Sequence, residues 1–158
     1  MNSEVIEKKI LEDVELDRML AYWKFRDRSV VALYGSFDVL HPGTFELITY
    51  AAEHGHELVV GIKPDGEMKK EKGDKFPVFG QNKRALVVAS NQLVSAVYIC
   101  QNGIEDFLRR VKPSLAVCCH HASSTDKDKL EVVKEWGGKY KIFTQSTTSV
   151  EDIITKLC

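Results

Sequence analysis

Apolar residues along the chain follow two rhythms. Short runs rich in apolar and β-branched residues (Val30–Tyr34, Glu57–Lys63, Val94–Cys100, Leu115–Cys119 and Tyr140–Thr144) alternate with longer stretches in which apolar positions return every three or four residues. The first rhythm predicts strands covered on both faces, as in a parallel sheet, and the second predicts amphipathic helices. Helices are expected over 3–23, from Pro42 to Gly55, Gln81–Gln92, Ile104–Lys112, Thr125–Trp136 and Val150–Leu157. In the second of these Phe45, Ile48, Ala51 and Ala52 are expected to face the sheet, and in the third Leu86, Val87 and Ala89. The stretch Pro64–Pro77 carries Gly, Pro and charges without a hydrophobic period and reads as a loop. Strands that alternate with helices build an α/β protein with a doubly wound, open parallel sheet, here of about five strands. An amphipathic N-terminal helix over 1–28 is expected to flank an α/β domain over 29–158.

Composition narrows the class. A chain of 158 residues, 44% hydrophobic and 28% charged, has the size of one domain with a substantial core. Its 22 basic and 23 acidic residues leave no broad electrostatic footprint for nucleic acid, while a small anionic ligand in a local site stays open. No apolar run approaches the roughly 20 residues that span a bilayer, and no secretory pattern opens the chain, so a cytoplasmic protein is expected. The cysteines Cys100, Cys118, Cys119 and Cys158 have no C-x-x-C spacing. Contiguous residues in an extended segment alternate sides, so Cys118-Cys119-His120-His121 does not form a tetrahedral zinc site.

The stretch Val30–Gly55 carries the clearest chemistry. An apolar strand ends at Gly35, a short turn brings Asp38 and His41, and Pro42 opens a helix. Unpaired N–H groups and the helix dipole make such a strand-turn-helix junction an anion site. Four lysines in 64–77 (Lys69, Lys70, Lys72 and Lys75) are interleaved with acids, which by itself describes a solvated loop. Arg84 falls near a helix N-terminus, where the dipole disfavours it, so a ligand phosphate or a structural carboxylate is expected beside it. Ser146, Thr147 and Thr148 precede the last helix, where hydroxyls serve as caps.

The run Gly35-Ser36-Phe37-Asp38-Val39-Leu40-His41-Pro42-Gly43-Thr44 resembles the G-x-F-D-x-x-H-x-G-H signature of the cytidylyltransferase-like nucleotidyltransferases, with Thr44 in place of the second histidine. Lys69–Val78 is similar to the K-x-x-K-G-x-x-R-P-V loop of the bacterial heptose-1-phosphate adenylyltransferases, with Phe76 replacing arginine. Ser146, Thr147, Thr148, Ile153, Ile154 and Lys156 resemble that family's S-T-T/S-x-x-I-I-x-K-I ending. The resemblance implies a Rossmann-like nucleotidyltransferase fold from Val30 onward. It implies catalytic roles for His41, Thr44 and Lys72, and nucleotide contacts from Gly35, Ser36, Phe37, Asp38, Gly43, Lys69, Arg84, Ser146, Thr147 and Thr148. Neither His120 nor His121 belongs to the pattern; they either stand on the substrate side in place of the lost histidine or are solvated loop residues. The implied reaction is attack by a sugar or alcohol phosphate on the α-phosphorus of a nucleoside triphosphate, ATP before CTP, with Mg²⁺, release of pyrophosphate, and a homodimeric protein. The departures at Thr44, Phe76, Asn82 and Cys118-Cys119 fall at site positions. They support a second expectation, a nucleotide- or sugar-phosphate-binding protein of the same fold that has lost catalysis.

Overall fold

β1 (Val30–Gly35) is the central strand, paired in parallel with β2 (Glu57–Ile62) on one side and with β4 (Leu115–Cys119) on the other. β3 (Ala96–Ile99) continues outside β2 and β5 (Lys139–Phe143) outside β4, which gives an all-parallel sheet in the order β3-β2-β1-β4-β5. These positions come from a computed structural model that describes residues 3–144 and 155–156. The connection direction reverses between β1 and β4, so a crevice opens beyond the carboxyl ends of those two strands, where doubly wound sheets bind ligands.

Side-chain alternation along each strand sends the apolar residues to two covered faces. Val31, Leu33, Val60 and Ile62 meet α3 (Pro42–Ala52) and α5 (Gln81–Ala89) through Leu47, Ile48, Ala51, Ala85 and Val88. On the other face Ala32, Tyr34, Val59 and Ala116 meet α6 (Gly103–Val111) through Ile104, Phe107 and Leu108, joined by Leu16 and Trp23 of α2 (Asp13–Phe25). The β2 glycine lets that second layer come close: a Cβ on Gly61 would lie 2.7 Å from both Cys100 Sγ and Phe107 Cε1.

Several expectations change. The single helix over 3–23 is two, α1 (Ser3–Glu7) and α2, because the residues between them are drawn to the outer edge of β3. There the Val97 N–H donates to the Lys9 carbonyl at 2.7 Å and the Val97 carbonyl accepts from the Leu11 N–H at 2.9 Å, with Ile10 and Val97 in parallel register. Backbone groups of an edge strand need partners, and that need outweighs helix periodicity here. Residues 64–77 are not all loop. They contain α4 (Asp65–Lys72), anchored by one buried apolar side chain, Met68, with Asp65 and Glu67 in its first turn and Lys69, Lys70 and Lys72 in its last. That charge order complements the helix dipole, so the helix does not depend on a hydrophobic stripe.

Phe45 faces solvent and Leu47 takes its place on the sheet; Leu86 and Val87 are also exposed, and Ala85 and Val88 are buried. The helix expected from Thr125 divides into α7 (Ser124–Lys129), capped by the Ser123 hydroxyl, and a 3₁₀ turn over Leu130–Trp136 that Gly137 ends at φ 79°. Of the expected C-terminal helix only Thr155 and Lys156 are described, and the Ser146, Thr147 and Thr148 cluster lies outside the described residues. Among the described residues no helix is long and apolar enough to cross a membrane.

Candidate nucleotide site

The turn after β1 is built to present its backbone. Phe37 adopts φ 51°, a left-handed conformation rare for a bulky residue. A Cβ at position 35 would approach the Phe37 ring to 3.1 Å, so glycine gives the ring its place. Asp38 is buried, and its two carboxylate oxygens accept from the N–H groups of Val78 and Phe79, each at 2.8 Å. The aspartate thus fastens the segment before α5 to the signature turn.

His41 is the N-cap of α3. Its ring Nδ1 accepts the Gly43 N–H at 3.2 Å, and Thr44 Oγ1 accepts the His41 N–H at 3.4 Å, a reciprocal cap. A neutral imidazole that accepts at Nδ1 carries its proton at Nε2, which makes Nε2 a fixed donor. His41 and Thr44 both line a cleft of about 110 Å³ beyond the ends of β1 and β4. Gly35, Ser36, Phe37 and Asp38 line it from the turn, Lys72 from α4, and His121 from the loop after β4.

Other expected residues lie elsewhere. Lys69 is exposed on α4, one turn before Lys72, and does not line the cleft; Lys72 Nζ lies 5.7 Å from the Phe76 ring centroid. His120 lies against His121 with the rings tilted by 43° and their centroids 3.7 Å apart, and it stays outside the cleft lining.

For Arg84 the structure answers in favour of the structural carboxylate. Its guanidinium is fully buried and donates to the carbonyls of Phe79 (2.9 Å), Ser36 (2.6 Å) and Lys63 (2.7 Å) and to Asp65 Oδ1 (2.7 Å). It is therefore a brace beneath the signature turn, and the expected contact to nucleotide phosphate is corrected to that role. Burial pushes the Cys118 thiol up to about 12, with the neighbouring Cys119 and Asp126 charges adding to the effect. Cys118 is a neutral core group at the end of β4.

Two cleft residues carried no sequence signal as site groups. Lys63 follows β2, and Asp126 lies in α7; both are buried and ion-paired to each other. Glu71 of α4 completes the cluster, its two oxygens 2.8 and 2.6 Å from Lys63 Nζ. Burial opposes the charge on Lys63, but hydrogen bonds to Asp126 and Glu71 outweigh it and hold the lysine above its ordinary pKa. In the sequence Lys63 is only a lysine that ends an apolar strand run. Its partners come from two different helices.

Residues 32–156 match the Cytidylyltransferase-like family. The chain belongs to that family. It is 31% identical over 139 residues to the bifunctional protein HldE of Koribacter versatilis (strain Ellin345), covering 87% of this chain and 29% of that protein. With the bifunctional protein HldE of Bradyrhizobium diazoefficiens it shares 36% identity over 112 residues, 70% of this chain and 23% of that one. The chain thus spans less than a third of the length of these curated relatives. Among solved structures, the lipopolysaccharide core biosynthesis protein from Thermoplasma volcanium GSS1 superposes with a TM-score of 0.62 at 22% identity, covering 77% of this chain and 99% of that one. A pantoate-beta-alanine ligase from Francisella tularensis, complexed with beta-gamma ATP and beta-alanine, gives 0.63 at 12% identity, covering 88% of this chain and 67% of the ligase. Identity that low establishes the fold, and the family match together with the HldE relatives supports a nucleotidyltransferase-type function.

Proposed function

We propose that the cleft transfers AMP from ATP, with CMP from CTP as the less favoured donor, to a sugar or alcohol phosphate. A phosphate oxygen of the acceptor attacks the α-phosphorus, the bond to the α–β bridging oxygen breaks, and pyrophosphate leaves. Such a reaction draws on positioning and charge stabilisation and requires no covalent enzyme intermediate. The α3 N-terminus and the Gly35–Asp38 turn would hold the triphosphate, Lys72 would screen the leaving pyrophosphate, and His121 would face the acceptor.

The observation that carries this reading is the lock on His41: its Nδ1 is occupied by Gly43 N–H, which fixes Nε2–H as the donor at a helix N-terminus. Mg²⁺ would enter on the triphosphate oxygens. Among the described residues no group of three or more His, Cys, Asp or Glu side chains could hold a metal by itself.

A specific observation supports a second reading. Thr44 occupies the second histidine's position and spends an acceptor lone pair on His41 N–H, leaving one hydroxyl proton where the family pattern has an imidazole. Loss of one preorganised donor costs about 10²–10³ in rate, so a nucleotide-binding protein with little or no turnover is the alternative.

Pyrophosphate release from Mg·ATP and Mg·CTP with a panel of sugar and alcohol phosphates separates the two. The first reading expects wild-type turnover that falls about 10²–10³-fold in His41→Ala. A silent wild type that still binds nucleotide by calorimetry, and that gains turnover in Thr44→His, would establish the second.

A further inference from the structure

The cleft is too small and has the wrong charge for the ligand proposed for it. Sites for cofactor-sized molecules run to about 300–1,000 Å³, against about 110 Å³ here. Its charged lining consists of Lys63 and Lys72 against Asp38, Glu71 and Asp126, so carboxylates outnumber ammonium groups where a polyanion is to sit. Something must leave before a triphosphate enters, and the lining residues differ in how readily they can.

Asp38 is pinned by two backbone N–H groups, and Asp126 is 5% exposed. Glu71 is 31% exposed, in the last turn of a helix held to the core by Met68 and tied at its first turn by Asp65 to Arg84 and by Glu67 to the Tyr34 hydroxyl. Lys63 is fixed at its backbone, where its N–H donates to the Gly35 carbonyl at 2.9 Å and its carbonyl accepts from Arg84 at 2.7 Å. Its backbone is therefore anchored beside the signature turn, and the three N–H donors of its Nζ are committed to Asp126 and to both oxygens of Glu71.

Taking the cleft to be the nucleotide site, as proposed above, we infer that Lys63 is a phosphate-binding residue which Glu71 occupies in the empty protein, so that the triphosphate enters by displacing the Glu71 carboxylate and swinging the last turn of α4 outward. The exchange replaces one anion on Lys63 by another, while Asp126 keeps the ammonium oriented. It also removes a negative charge from the lining and enlarges the cleft in the same movement. α4 is a latch whose bolt is Glu71. Lys63 supplies a cation from the sheet itself, independent of the lysines on α4.

The test is calorimetric titration of the full chain with Mg·ATP, Mg·CTP and inorganic tripolyphosphate. Glu71→Gln keeps the shape of the side chain on an exposed helix and removes the competing charge; it is expected to bind about three- to tenfold more tightly than wild type. Lys63→Met combined with Asp126→Asn, which avoids leaving a buried carboxylate unpaired, is expected to bind at least about tenfold more weakly. In that background Glu71→Gln should have no further effect, as a shared partner requires. Nucleotide binding that is unchanged or weakened in Glu71→Gln would overturn the latch and leave the nucleotide site standing. If neither wild type nor Glu71→Gln binds any of the three probes, both the latch and the proposed function fall.

Discussion

Arg84 and Asp38 hold the signature turn by different means. The arginine ties three carbonyls and Asp65 together from beneath, and the aspartate closes on the amides of Val78 and Phe79. Arg84→Met should therefore destabilise the fold by about 3–5 kcal/mol, because the buried Lys63 carbonyl and the partly buried Phe79 and Ser36 carbonyls lose their donor together. Urea unfolding measures this, and a loss below about 1 kcal/mol would mean that the surroundings rearrange around the gap. The importance of both residues was legible from their motif positions. Their roles were not, because the partners of Asp38 lie some forty residues away in sequence and a helix-start arginine is equally compatible with phosphate and carboxylate. Lys63 was harder still, since a lysine after an apolar strand declares nothing until Glu71 and Asp126 arrive from two other elements.

At the scale of elements, the strands were readable to within a residue or two, β1 to β4 because burial on both faces writes itself directly into composition. α4 was not readable. Its stability rests on Met68, on the ties of Asp65 to Arg84 and Glu67 to Tyr34 and on the order of its charges, and no window of hydrophobic spacing registers any of them. The break between α1 and α2 was invisible for another reason: hydrogen bonds to Val97 decide it, and those exist only once the sheet has formed. Packing between elements gives a sharper prediction at Gly61, where β2 meets Cys100 and the Phe107 ring of α6. Gly61→Ala is expected to cost about 1–3 kcal/mol, as overpacking of a filled interior does. Thermal unfolding checks it, and an unchanged midpoint would show that α6 can retreat without loss.

For the whole molecule, the order β3-β2-β1-β4-β5 fixes where the cleft can be and leaves two rims to manage among the described residues. The β5 rim carries exposed Lys139 and Lys141, charges that discourage another strand from pairing there. The β3 rim is covered by Lys9–Leu11. Removing residues 1–12 should uncover it, and the shortened chain is expected to self-associate in a concentration-dependent way by light scattering while keeping α/β circular dichroism. A truncated chain that stays monodisperse over the same concentrations would show that the cover serves packing alone.

The cover also has a place in time. Synthesis runs from the N-terminus, so Lys9–Leu11 is finished long before β3 leaves the ribosome. β3 therefore never waits for its outer neighbour to be made. The segment that seals the rim is older than the strand it covers, and the hazard it removes is greatest in the seconds after the strand appears.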